Sequence, residues 1–171
     1  ASFDGEGVRS PTAPPSAFHV APSPAAWKNV SWLGDATSNI YRTSFSMSNS
    51  SDVTGVTLYV CGLGFSVVKF NGHDLNTLTT APWTNNARVN GFSSYDVTGL
   101  LSSSSGSVSS LANTIVVSLG NGWRDTKTFA VKDPDDRTHQ GQYWRMLRAK
   151  VVATTVNGAT VTLVDTGDGS W

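Results

Sequence analysis

Short apolar runs separated by turn signals recur from Trp27 to the end of the chain: WKNVSWLG, IYRTSFSM, GVTLYVCG, FSVVKFNG, RVNGFSSYDV, NTIVVSLG, YWRMLRAKVVATTV and ATVTLVD. Alternation is clearest in VTLYV (Val56 to Val60) and SVVKF (Ser66 to Phe70), where every second side chain is apolar, the period of a half-buried strand. So many short strands in succession constrain the chain to an all-β fold, a sandwich or jelly roll. Asn71-Gly72 is a turn dipeptide because both residues tolerate positive φ, so FSVVKF is expected to double back at His73-Asp74. Gly62 and Gly64 flank Leu63 at the entrance of this strand, where a tight reversal, or the close approach of a neighbouring backbone or a ligand, would exclude a Cβ.

Composition agrees with this reading. Charged residues make up 14% of the 171, and Ser, Thr, Gly and Asn fill the spaces between the apolar runs. A formal charge of zero supplies no long-range field to gather nucleic acid or an acidic membrane surface. No apolar run has the length needed to cross a bilayer, and residue 1 opens without a basic and apolar leader, so a secreted chain would already have lost its signal. A lone cysteine, Cys61, makes neither an internal disulfide nor a zinc site. NVS at Asn29 and NSS at Asn49 are glycosylation sequons, which lean toward an extracellular setting and also arise by chance in so Ser- and Asn-rich a chain.

Residues 1 to 26, with SPTAPPSA and APSPAA, are rich in Pro and Ser and lack periodicity, the pattern of an extended arm or linker. The β-sandwich domain is expected over 27 to 171. DVTGLLSS reads as one helical turn capped by Asp96, and SSSSGSVSSLAN as a flexible connection. In YWRMLRAK, period two puts Trp144, Met146 and Arg148 on one face and Arg145, Leu147 and Ala149 on the other; Arg among apolar residues on both faces implies partial cover by a loop. The three histidines, His19, His73 and His139, are scattered through arm, turn and loop and form neither a metal pair nor a triad.

TGVTLYVCGLGFSVVKFNGHDL, then APWTNNARVNGFSSYDVTGLL, NTIVVSLGNGW and a terminal GDGSW resemble, in that order, the N-terminal β-sandwich domain of bacterial and fungal α-L-rhamnosidases, a family that includes calcium-dependent rhamnose-binding modules. The resemblance runs from about Trp32 to Trp171 and implies a galactose-binding-like jelly roll. It also implies a neighbouring helical-barrel catalytic domain. The acid and base carboxylates of that barrel lie outside this chain, so hydrolase activity does not carry over. The residues agree: glycoside hydrolysis needs a carboxyl pair across the scissile bond, and the carboxylates here fall mainly in loops. The densest group, KDPDDRTH (Lys132 to His139), reads as a solvated turn, since Pro134 breaks it and no calcium-loop spacing follows.

A bound sugar would pack its C–H faces on aromatic rings and offer its hydroxyls to fixed amides and carboxylates. APWTNNAR supplies Trp83, Asn85 and Asn86, and LGNGWRD supplies Asn121 and Trp123 at a strand exit. Where related sequences commonly read Trp-Thr-Asp-Tyr, this chain has Asn85 and Asn86 in the last two places, losing an acid and an aromatic at a loop rim. For Trp83 and Trp123, burial against the sandwich end is the competing reading. Asp35 and Asn39, in LGDATSNIYR, are candidate oxygen ligands for Ca²⁺, whose shell a vicinal diol of L-rhamnose would complete; Asp35 reads equally as a turn residue bonded to its own backbone. Phe65, after Gly64, packs either on the C6 methyl side of the sugar or in the core. The expected function is a non-catalytic carbohydrate-binding module for terminal L-rhamnose, with Ca²⁺, linked to a glycoside hydrolase domain. The alternative is a structural accessory domain of a rhamnosidase with no sugar site of its own.

Overall fold

A computed structural model describes residues 23–34, 38–47, 52–76, 79–80, 90–102, 112–120 and 146–171. Among these, two antiparallel five-stranded sheets form a sandwich. The first is ordered β1 (Leu33–Gly34), β9 (Met146–Thr155), β3 (Val53–Leu63), β7 (Ser93–Asp96), with β10 (Thr160–Asp165) also on β9. The second is ordered β2 (Ile40–Ser46), β8 (Ala112–Gly120), β4 (Phe65–Phe70), β5 (His73–Asp74), with β6 (Thr79–Thr80) also on β4. The all-β, galactose-binding-like jelly roll expected from the sequence is therefore the fold.

The core lies between the sheets. Val56, Leu58 and Val60 of β3 and Leu147, Ala149, Val151 and Ala153 of β9 face Phe45 of β2, Val68 and Phe70 of β4, and Ile115, Val117 and Leu119 of β8. Each of the larger side chains contributes roughly 1.5–3 kcal/mol by leaving water. Alternation therefore reports the inward face correctly on β4. On β3 it does not: Thr57, Tyr59 and Cys61 point away from the core and are buried as well. A second layer covers this outer face, so VTLYV belongs to a strand enclosed on both sides rather than a half-buried one.

That second layer is the segment expected to be the first strand. WKNVSWLG yields only the two-residue β1, preceded by a 3-10 turn at Pro24–Trp27. Pro24 sits at the start of the turn, where its fixed φ is favourable and its missing N–H costs nothing. The carbonyls of Ala26, Trp27 and Val30 accept side-chain N–H groups of Lys150 and Arg148 in place of a ladder.

Gly64, at φ +116°, carries the chain from β3 in one sheet to β4 in the other. Gly62 is needed for packing: a Cβ there would stand 3.0 Å from Leu119 Cδ2 and 3.2 Å from Ser66 Cβ. The close approach inferred for Gly62 is thus made by the molecule's own strands, not a ligand. Asn71 (φ +49°) and Gly72 (φ +83°) form the expected turn, with Lys69 opposite Asp74 and Phe70 opposite His73. After β7, Asp96 Oδ1 accepts the Thr98 N–H at 3.0 Å and orders a 3-10 turn at Thr98–Leu100. The connection read as SSSSGSVSSLAN is shorter than expected, since Ala112 and Asn113 already belong to β8; residues 103–111 lie outside the described residues. At the C-terminus Thr43 Oγ1 donates to the Ser170 carbonyl at 3.1 Å and Trp171 packs against the core, so the tail after β10 reaches across to β2 in the other sheet.

Candidate functional site

The strand registers place several strand ends together at one end of the sandwich. Gly34 lies opposite Met146 and Met146 opposite Leu63, while Phe65 lies opposite both Gly120 and Thr80, and Ile40 opposite Ser118. The chain therefore leaves the described structure at Gly34, Thr80 and Gly120, and re-enters at Ser38 and Met146, all from this end. Asp35, Trp83, Asn85, Asn86, Asn121 and Trp123 follow these exits in the chain and lie outside the described residues.

Asn39 and Phe65 are described. Asn39 is exposed beside the start of β2, and its carbonyl accepts the Leu119 N–H at 2.7 Å, which pins its backbone to the exit of β8. Phe65 is half-buried and stands on the pleat opposite Ser66, Val68 and Phe70, outside the core cluster. It covers the last residue of β8: a Cβ on Gly120 would meet Phe65 Cβ at 3.3 Å. Phe65 is not among the side chains of the core cluster. Among the described residues no group of His, Cys, Asp or Glu is assembled that could hold a metal ion; of the two oxygen ligands suggested for Ca²⁺, Asn39 offers an exposed amide, and Asp35 lies outside the described residues.

Sequence reasoning missed a second constellation, on the flank of the first sheet next to this end. Trp27 packs edge-on against Tyr59 (centroids 6.4 Å apart, interplanar angle 79°) and tilted against Phe92 (5.7 Å, 41°), and Phe92 meets Tyr59 at 5.7 Å. Two cations of β9 enter this cluster from below. Lys150 Nζ lies 5.0 Å from the Trp27 ring centroid and donates to the Ala26 carbonyl at 3.0 Å. Arg148 Cζ lies 5.6 Å and 5.8 Å from the rings of Trp27 and Trp32; its Nε donates to the Val30 carbonyl at 2.6 Å and its Nη2 to the Trp27 carbonyl. Burial lowers the Lys150 ammonium below the ordinary lysine value, Asp165 acting against this and Arg148 with it. Burial raises the Cys61 thiol to about 11, the charge of Arg148 opposing. The mixed pattern of YWRMLRAK correctly implied a cover over this strand. The identity of the cover, Trp27, was not legible because its partners lie far away in the chain.

The family model of the Alpha-L-rhamnosidase N-terminal domain matches residues 51–171. Among solved structures, the alfa-L-rhamnosidase of Aspergillus terreus is similar at TM-score 0.54 and 17% identity, over 82% of this chain and 16% of that one. The Streptomyces avermitilis alpha-L-rhamnosidase complexed with L-rhamnose gives 0.48 and 19%, over 74% and 11%, and the alpha-L-rhamnosidase of Dictyoglumus thermophilum 0.48 and 17%, over 80% and 15%. The chain thus spans a small part of the length of each. The search of curated proteins finds no match.

Proposed function

Because the chain belongs to the α-L-rhamnosidase N-terminal domain family, we propose that it is a non-catalytic module that recognises terminal L-rhamnose on an extracellular glycan, with Ca²⁺, beside a glycoside hydrolase domain. The observation that carries this reading is the shared end of the sandwich, where Asn39 and Phe65 meet the strand exits leading to Asp35, Trp83, Asn85, Asn86, Asn121 and Trp123. Asp35 and Asn39 would hold the cation through oxygen, the ligand type a hard ion takes. The aromatic rings would receive the apolar face of the sugar and the amides its hydroxyls. A monosaccharide buries little area, so the expected affinity is micromolar to millimolar, about −4 to −8 kcal/mol.

Calorimetric titration of L-rhamnose into the whole chain tests this, first with Ca²⁺ and then with EDTA. Heat with calcium that vanishes in EDTA supports the reading in full. Heat that survives EDTA removes the metal. Absence of heat in both favours a structural domain that packs on a catalytic neighbour, a reading supported by the small share of each rhamnosidase structure that this chain spans.

A further inference from the structure

On the flank of the first sheet two cations stand partly or wholly out of water. Arg148 and Lys150 alternate along β9 on the same outward face, opposite Cys61 and Tyr59 of β3. Lys150 is 3% exposed. Buried cations are ordinarily paired with carboxylates, because desolvation is costly and backbone carbonyls repay it only in part. Asp165 of β10 stands opposite Lys150 in the register and its charge acts on the ammonium, but among the described residues neither cation makes a direct ion pair; the one described is Lys69 with Asp74, at 2.7 Å on the other sheet. The faces of Trp27 and Trp32 offset some of the charge. Even so, both hydrogens of Arg148 Nη1 and two of the three on Lys150 Nζ have no protein acceptor among the described residues.

Aromatic surface stands directly beside these donors. Phe92 is 37% exposed, and Trp27 and Trp32 are half-buried around the guanidinium. Rings of this kind take the C–H face of a pyranose, and a guanidinium with a free edge takes a carboxylate in two parallel hydrogen bonds. We propose that Trp27, Trp32, Phe92 and Arg148, with Lys150 beneath them, form a binding site for a carboxylate-bearing sugar, a uronic acid residue of a glycan. The site shares only the class of ligand with the rhamnose reading. It uses none of the residues assigned there and no metal, so either proposal stands or falls without the other.

The test is a heteronuclear NMR titration of the whole chain, following the indole N–H signals of Trp27 and Trp32. The probes are methyl glucuronide, its neutral counterpart methyl glucoside, sodium acetate and a short oligoglutamate. Glucuronide is expected to shift both signals with millimolar affinity, about ten-fold or more tighter than each of the other three, which is about 1.4 kcal/mol. Phe92→Ala, a partly exposed position where folding should survive, is expected to weaken glucuronide at least about three-fold. Arg148→Gln is expected to abolish the preference for glucuronide over glucoside, with its thermal midpoint measured alongside. Equal response to glucoside, acetate or oligoglutamate would overturn the proposal, as would no shift or an unaltered affinity in Phe92→Ala.

Discussion

Asn71, at the tip of the β4–β5 hairpin, donates from Nδ2 to the Oδ1 of Asn113 at 2.9 Å, and Asn113 is buried to 1% exposure in β8. The same amide group donates to the Leu100 carbonyl at 2.8 Å, and its Oδ1 accepts the Thr114 N–H at 2.8 Å. Asn113 Oδ1 in turn accepts the Ser102 N–H at 2.8 Å. A residue legible in the sequence as a turn former thus also ties the hairpin to β8 and to the 3-10 turn after β7.

Asn71→Gly keeps the positive φ and removes these bonds. Leaving Asn113 and the Thr114 N–H with fewer partners is expected to cost about 1–3 kcal/mol. Urea denaturation measures it. A change below a few tenths of a kcal/mol would mean that Asn71 serves the turn alone.

Gly167 lies in the tail that holds the N-terminal segment. A Cβ there would run into the Asn29 carbonyl oxygen and lie 2.9 Å from Asp165 Oδ1. Because the obstacle is backbone, Gly167→Ala is expected to destabilise by at least about 1–3 kcal/mol. Gly169→Ala, with nothing within 4 Å of its Cβ but a φ of +78°, isolates the cost of backbone strain alone. Thermal unfolding of the two variants side by side separates clash from strain.

Burial is the largest single influence on the Asp168 carboxyl and raises it, but hydrogen bonds from Ser170 and from the Asp165 N–H together outweigh it and leave the group below the ordinary carboxylate value. A folded pKa below the unfolded one gives stability that is present above the unfolded value, about 3.9, and lost as pH falls through the folded value. Asp168→Asn is therefore expected to reduce the stability difference between pH 6 and pH 3. Parallel acid-unfolding curves for the two proteins check this.

Cys61 is 4% exposed, and its thiol is raised to about 11. At pH 7.5 the thiolate is scarce and enclosed, so alkylation by iodoacetamide is expected to be slow in the native chain and fast in denaturant. Rapid labelling of the folded protein would show that the cover formed by Trp27 opens readily.

The sequence by itself determined the class of fold, the turn at Asn71-Gly72 and the inward face of β4, because period two and turn chemistry act over neighbouring residues, and it showed the family through the order of its motifs. It misplaced the first strand and called VTLYV half-buried. Local pattern cannot show that Trp27 will lie on Tyr59, or that Arg148 and Lys150 will take the carbonyls that a ladder would have used. Only the tertiary structure decided which strand exits share one end of the sandwich and which cations meet which rings. Those contacts join residues up to 124 positions apart, and their geometry comes from sheet order and strand register, which no stretch of sequence encodes alone.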